Sequence, residues 1–355
     1  MAQLVTPAFW RGRRVFITGH TGFKGSWLAL WLEQLGASVT GYAIDVPTTP
    51  SLYEAARVDE GIRSVIGDVR GLSDVATAME EAQPEVVFHL AAQSLVRRSH
   101  EEPLETFTTN VLGTANVLEA VRGYDGIRTV IVVTSDKCYR RSENVHSEDD
   151  PLGGEDPYSA SKAAAELVTA AYRDSFFTTN GPAVATVRAG NVIGGGDWAR
   201  DRLIPDVMRA ALDGGTAVVR NPGHVRPWQH VLGPLAGYLK LAERLDRDRT
   251  CASAWNFGPT EDESRPVEWL VDALVARWPA DIAVRVDDAS GGAREAPALR
   301  LDSSRARALL GWRPAWTLDT ALDATAEWYR AFAAADDVRS VALAQIARYE
   351  ADACR

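Results

Sequence analysis

Arg14-Val-Phe-Ile-Thr-Gly-His-Thr-Gly-Phe-Lys-Gly-Ser-Trp27 passes from a short apolar run into three spaced glycines, then into an apolar helical stretch. The run predicts a buried strand, Arg14–Thr18, and the apolar spacing over Gly22–Leu35 predicts a helix. Glycine in such a turn permits positive φ, lets the backbone approach a ligand, and lets the helix pack on the sheet. The helix start offers free N–H groups and partial positive charge to a phosphate. The spacing, Gly19-x-x-Gly22-x-x-Gly25, is one residue longer than the best-known dinucleotide fingerprint. Glycines alone are weak evidence; their place between a first strand and a first helix carries the reading. Thr21, Phe23 and Lys24 lie in the same loop and are candidate cofactor contacts.

The alternation continues downstream. Ser38–Ile44, Ser64–Gly67, Glu85–Leu90, Thr129–Thr134 and Ala183–Arg188 read as strands, with helical periodicity over Leu72–Ala82, Pro103–Arg122 and Pro157–Phe177. Strands alternating with helices imply right-handed crossovers and a parallel sheet covered on both faces. The expected fold is α/β: a Rossmann-type doubly wound parallel sheet with a smaller, mixed α/β C-terminal substrate domain. We expect 1–188 to form the NAD-binding domain, with 231–259 rejoining it, and 189–230 with 260–355 to form the substrate domain. Thr317–Arg348 reads as helical and amphipathic.

The 355 residues, 46% hydrophobic and 24% charged, describe an ordinary globular chain with a net charge of −10. That charge argues against a general nucleic-acid binder. No apolar run reaches the ~20 residues of a membrane span. Cys138, Cys251 and Cys354 lack metal-ligand spacing and cannot build a disulfide framework, so no metal and a reducing, cytoplasmic location are expected. Only Lys24, Lys137, Lys162 and Lys240 are lysines, and three of them fall in the motifs discussed here. A buried lysine can be brought into a useful titration range, whereas arginine cannot.

Asp45 follows the second strand, twenty residues after Gly25. Its carboxylate could accept both ribose hydroxyls and would repel a 2′-phosphate; with no arginine between Tyr42 and Thr49, NAD is favoured over NADP. Asp68, before Val69, could bond the adenine amino group or serve as a turn or cap residue. Leu90-Ala91-Ala92-Gln93 follows the fourth strand, where small residues allow close approach of a cofactor.

Thr134-Ser135-Asp136-Lys137-Cys138-Tyr139 closes the strand Val130–Val133, and Tyr158-Ser-Ala-Ser-Lys162 follows about twenty residues later. Tyr158 and Lys162 share a helix face. A phenol of pKa about 10 becomes a usable base when neighbouring cations favour phenolate. One hydride transfer needs Ser135, Tyr158 and Lys162. Asp136 and Lys137 are surplus to it and point to proton chemistry on neighbouring substrate atoms, as in elimination of water after a transient oxidation.

These motifs resemble the extended short-chain dehydrogenase/reductase superfamily over residues 13 to about 330, and within it the nucleotide-sugar 4,6-dehydratases of the CDP-glucose branch. The resemblance rests on Gly19–Trp27, Ala91-Ala-Gln93, Ser135–Tyr139, Tyr158–Lys162 and Arg226-Pro-Trp-Gln-His-Val231. Ser-Asp-Lys stands where most sugar dehydratases carry Thr-Asp-Glu. The resemblance implies C4 oxidation with Tyr158 as base and Ser135 holding the oxygen, loss of water across C5 and C6 with Asp136 as acid, and return of hydride to C6. NAD is regenerated each cycle, so a tightly held cofactor is implied, with Thr109 among its contacts. Lys137 is either the C5 base, which we favour, or a charged stabiliser of the enolate.

A nucleotide-sugar partner brings a pyrophosphate that an acidic chain must hold with arginine. Arg226 is the first candidate by resemblance, Arg202 and Arg294 the next, with Asn191 and Gln93 as further substrate contacts. Trp198 or Trp228 could stack on the base or pack in the core. Ser94, His100 and Arg294-Glu295 depart from the branch's pattern, which bears on the exact sugar or nucleotide. The alternatives are a dehydratase on another nucleotide sugar, a 4-epimerase of the same fold, or an idle NAD-binding scaffold. The superfamily commonly pairs the 103–122 and 157–177 helices across a two-fold axis, which implies a homodimer or dimer-based homo-oligomer.

Overall fold

The computed structural model describes residues 4–142, 144–260, 263–287 and 299–354. Its centre is a parallel sheet built from β1 (Arg14–Thr18), β2 (Ser38–Ala43), β3 (Arg63–Ile66), β4 (Val86–His89), β5 (Thr129–Val133) and β6 (Ala183–Ala189). A seventh strand, Ala254–Phe257, adds parallel to β6. The order is Ala254–Phe257, β6, β5, β4, β1, β2, β3. Chain direction across the sheet reverses between β1 and β4, and ligands of such sheets bind in the crevice at that point. β1 and β4 pair directly, Val15 beside Val86 through Thr18 beside His89.

Each face carries its own core. Phe23–Gln34 buries residues all around its circumference, Trp27 and Trp31 included, because it is sandwiched between the sheet and the C-terminal helix Val338–Ala353. Trp31 Nε1 donates to Glu350 Oε1 at 2.8 Å and Trp27 Nε1 to Gly195 O at 3.1 Å, which fixes the helix that follows the glycine loop. On the other face Leu72–Ala82 and Gly113–Arg122 cover Phe16, Val87, Val130 and Val184.

Three readings are amended. Pro103–Arg122 is not one uninterrupted α-helix: Pro103–Phe107 passes through a π-helical turn, Thr108–Leu112, into Gly113–Arg122. Val96–Glu101 is a further helix, too polar to show an apolar stripe. Thr317–Arg348 divides into Leu318–Ala333 and Val338–Ala353, with Ala335 at φ 58° in the break.

Beyond β6 the chain forms small pairs: Val192–Ile193 with Gln229–His230, Val225–Pro227 with Ser264–Pro266, and Thr216–Arg220 with Ala283–Asp287. Leu232–Leu245 packs against β5 and β6. Among the described residues no helix is long and apolar enough to cross a membrane.

Candidate active site

The glycine loop is a cradle closed on three sides. Gly19 sits at φ +78°, and a Cβ there would lie 2.7 Å from Ala91 N. A Cβ on Gly25 would lie 2.1 Å from Gly19 O, so the helix start and the turn touch through bare backbone. Thr21 Oγ1 donates to Asp45 O at 2.6 Å, tying the loop to the end of β2 while the exposed Asp45 carboxylate is left to face outward. His20 is buried over Gly41 and bonds Ser64 Oγ at 2.7 Å. A cradle that excludes side chains, a helix N-terminus and an outward carboxylate at the second strand fit a dinucleotide with a free 2′-hydroxyl.

Other candidates around the cradle have structural duties. Asp68 accepts from Arg70 N at 2.9 Å and Nε at 2.7 Å, the turn alternative raised above. Val69 is buried against Gly113. Leu90, Ala91, Ala92 and Thr109 are half-buried. Gln93 commits both amide hydrogens to Leu95 O (3.0 Å) and Thr106 Oγ1 (2.9 Å), so its side chain shapes the loop after β4 instead of reaching a substrate. Asn110, which the sequence did not single out, clasps that loop. It accepts from Gln93 N at 2.8 Å and donates to Gln93 O (2.9 Å) and Ser161 Oγ (2.8 Å). The π-helical turn contains this residue.

The reactive groups converge at the end of β5. Asp156 caps the Pro157–Phe176 helix through Ser159 N at 2.9 Å, setting Tyr158 in the first turn and Lys162 one turn on. Ser135 Oγ donates to Asp136 Oδ1 at 3.0 Å and accepts from Lys137 N at 3.2 Å, and the hydroxyl favours the ionised form of the Tyr158 phenol. Asp136 is 3% exposed and its Oδ2 has no hydrogen-bond partner among the described residues. Burial therefore pushes its carboxyl upward, against Lys137, Ser135, Lys24 and Arg226.

Burial also raises the Tyr158 phenol, opposed by the Ser135 hydroxyl and by Lys137 and Arg202. Lys162, one turn on, has its Nζ donating to Val133 O at 3.3 Å. Burial pushes the Lys162 amine down to about 8, with Glu166 and Cys138 pulling the other way. Lys24 is brought down to about 8 by burial and by the Arg202 charge. Cys138 is fully buried with its thiol pushed up by burial, a packing residue.

Behind the reactive groups lies a buried network. Glu166, one turn beyond Lys162, accepts from Arg188 Nε (2.9 Å), Arg188 Nη2 (2.8 Å), Thr186 Oγ1 (2.6 Å) and Thr134 Oγ1. Arg188 Nη1 also donates to Tyr139 Oη at 2.8 Å. Thr134 and Tyr139 bracket Ser135–Lys137, so this pair anchors both ends of the reactive segment. A Cβ at Gly190 would lie 2.7 Å from Pro227 Cγ and 3.2 Å from Asp136 Oδ2, so the chain after β6 closes against the acid only because it lacks a side chain there.

Two of the three candidate arginines fall within the described residues. Arg202 Nη1 donates to Asp197 Oδ2 and Nη2 to Ser94 Oγ, both at 3.1 Å, so the unexpected Ser94 holds a candidate substrate ligand. Arg226 is buried, donating to Val225 O at 2.9 Å and bonding His224 Nδ1 at 3.2 Å. Asn191 O accepts from Gln229 N at 3.2 Å. Arg294 lies outside the described residues. Trp198 packs on Tyr329 and Phe332, and Trp228 donates to Arg265 O at 3.1 Å, so both belong to the core.

A sequence profile of GDP-mannose 4,6 dehydratase matches residues 16–325. The chain is 47% identical to a CDP-glucose 4,6-dehydratase of Salmonella typhimurium, over 98% of either chain. It is 31% identical to a dTDP-glucose 4,6-dehydratase of Streptomyces griseus, over 89% of this chain and 93% of that one. Among solved structures it resembles MoeE5 in complex with UDP-glucuronic acid and NAD, at 26% identity and a TM-score of 0.75, covering 89% of this chain and 98% of that one.

Proposed function

The chain belongs to the GDP-mannose 4,6 dehydratase family of NAD-dependent nucleotide-sugar enzymes, and we propose that it converts CDP-D-glucose to CDP-4-keto-6-deoxy-D-glucose with release of water. Asp136 carries this reading: a buried carboxyl with a raised pKa, beside the Ser135–Tyr158 pair, is a proton donor that C4 oxidation alone does not need.

When bound in the cradle, NAD supplies a two-electron acceptor for C4 that later returns the electrons at C6. Tyr158 takes the proton of the 4-hydroxyl, and Ser135 positions that oxygen. The 4-ketone acidifies the C5 hydrogen, which Lys137 removes, while Asp136 protonates the 6-oxygen as it departs. This step turns Lys137 into an ammonium next to a new carboxylate, so the two charges created stabilise each other. The ammonium then returns the proton to C5. Lys162 keeps its ammonium against the end of β5 and would help hold the nicotinamide ribose when NAD is bound. Arg226 and Arg202, with Arg294 and Asn191, receive the substrate's pyrophosphate.

Mixing the protein with CDP-, dTDP-, UDP- and GDP-glucose and weighing the products tests the assignment. Loss of one water from CDP-glucose alone is expected. Water loss from another sugar would move the pocket assignment, and an isomer of unchanged mass would overturn the roles of Asp136 and Lys137.

We also assign the protein a cytoplasmic location, consistent with three unpaired cysteines, and a homodimeric state. Leu104 (78% exposed), Leu112 (50%), Leu167 (60%) and Phe176 (54%) lie outward on the 103–122 and 157–176 helices, an apolar face that a second copy would cover. Light scattering is expected to give twice the chain mass, and the Leu104→Glu/Leu167→Glu variant a single chain; a monomeric wild type would refute it.

A further inference from the structure

We propose that the buried Glu166–Arg188 pair is a positioning device for the reaction, holding the helix that carries Tyr158 and Lys162 in register with the strand end that carries Ser135, Asp136 and Lys137. This rests on the dehydration reading above. The reactive groups come from two separate elements. Pro157–Phe176 supplies the phenol and one amine, and the short turn after β5 supplies the hydroxyl, the acid and the second amine. One sugar must meet both sets at once, and a displacement of about 1 Å between such groups can cost about 10²-fold in rate.

Glu166 lies at the next four-residue step after Tyr158 and Lys162 on the same helix. Its carboxylate has about four acceptor positions, and four donors fill them. Oε1 accepts from Arg188 Nε at 2.9 Å and from Thr134 Oγ1. Oε2 accepts from Arg188 Nη2 at 2.8 Å and Thr186 Oγ1 at 2.6 Å. The two arginine bonds form a fork that fixes orientation as well as distance. The third nitrogen, Nη1, donates to Tyr139 Oη at 2.8 Å and Glu148 O at 3.1 Å. The Tyr139 hydroxyl donates onward to Asn256 Oδ1 at 2.7 Å, and Arg188 Cζ lies 4.8 Å from the centre of the tyrosine ring.

One helix residue thus grips Thr134 directly and Tyr139 through the arginine. Thr134 N also donates to Val187 O at 3.0 Å, and Ser135 Oγ closes the turn through Lys137 N at 3.2 Å. The residues between the two grips, Ser135 to Cys138, include the three reactive ones. The ion pair itself is only 3–4% exposed, and a buried pair is a weak source of stability, since apolar side chains of the same volume often serve as well. What apolar side chains could not supply is the directional bonds to Thr134 and Tyr139. Glu166 and Arg188 exchange no proton in the reaction; they act through the residues they hold.

The test uses Thr134→Val and Tyr139→Phe in the holoenzyme. Each deletes one hydroxyl at one end of the segment and leaves the Glu166–Arg188 fork in place, so either variant alone decides. Bound NAD is counted in each preparation, and dehydration of CDP-glucose is expressed per bound NAD. We expect kcat per bound NAD to fall by about tenfold in each variant and by about 10²-fold in the double variant, with KM unchanged, and Thr134→Ser, which keeps the hydroxyl, to recover it. A residue that served stability alone would lower the amount of NAD-loaded protein and leave kcat per bound NAD intact. Wild-type kcat per bound NAD in either variant, or a loss confined to KM, would overturn the positioning role. Absence of water loss in the wild type would instead defeat the functional assignment.

Discussion

Tyr158→Phe is expected to lower dehydration by about 10²–10⁴-fold, about 3–5 kcal/mol of transition-state stabilisation, and to stop the reaction before C4 is oxidised. Phenylalanine keeps the buried ring, and the Asp156 cap that sets this turn bonds Ser159, not the phenol. What disappears is the proton acceptor for the 4-hydroxyl. The phenol is raised by burial and drawn back by Ser135, Lys137 and Arg202, so wild-type activity should climb with pH until phenolate is populated. The variant should lose that limb. A second reading locates the block: in D₂O the wild type exchanges the C5 hydrogen through the 4-ketone, so recovered substrate gains deuterium. Tyr158→Phe should show no such gain, with NAD affinity kept within about tenfold because Lys162 and the cradle are untouched. Deuterium at C5 in recovered substrate would assign the first proton transfer to another group.

The parts legible in the sequence are those whose meaning is local. Ser135, Asp136 and Lys137 are consecutive; Tyr158 and Lys162 are one turn apart; Gly19, Gly22, Gly25 and Asp45 follow one strand–turn–helix–strand unit. Alternation of short apolar runs with helical stretches revealed the sheet. The parts that were not legible depend on partners far along the chain. Asn110 acts on Gln93 and on Ser161, and its π-helical turn follows no short-range periodicity. Glu166 reads as an ordinary helix residue until β5 and β6 bring Thr134, Thr186 and Arg188 to it.

The same limit explains Gln93, Trp198 and Trp228, where residue type suited a ligand and tertiary packing gave each another use. It also explains Lys162: helical spacing puts it on the face of Tyr158, while its amine donates to Val133 O on a strand far back in the chain.

Asp136→Asn is expected to separate the two halves of the reaction. Asparagine preserves size and can still accept the Ser135 hydrogen bond, but it carries no proton for the departing 6-oxygen. Dehydration should fall by about 10²–10⁴-fold, while C4 oxidation and C5 exchange continue, so recovered CDP-glucose gains deuterium without losing water. Loss of both together would mean that the carboxylate supports the first step as well. Stability should move the opposite way. Burial raises the Asp136 pKa on folding, so the native state binds its proton more tightly than the unfolded chain. Stability is therefore lost progressively as pH rises from the ordinary carboxyl range, about 3.9, towards the raised native value. The amide does not titrate, so at neutral pH Asp136→Asn should unfold at a higher temperature than wild type, with the difference shrinking as pH falls. A lower unfolding temperature at neutral pH would mean that the carboxylate is compensated in the native state, and with it would go the case for Asp136 as the acid.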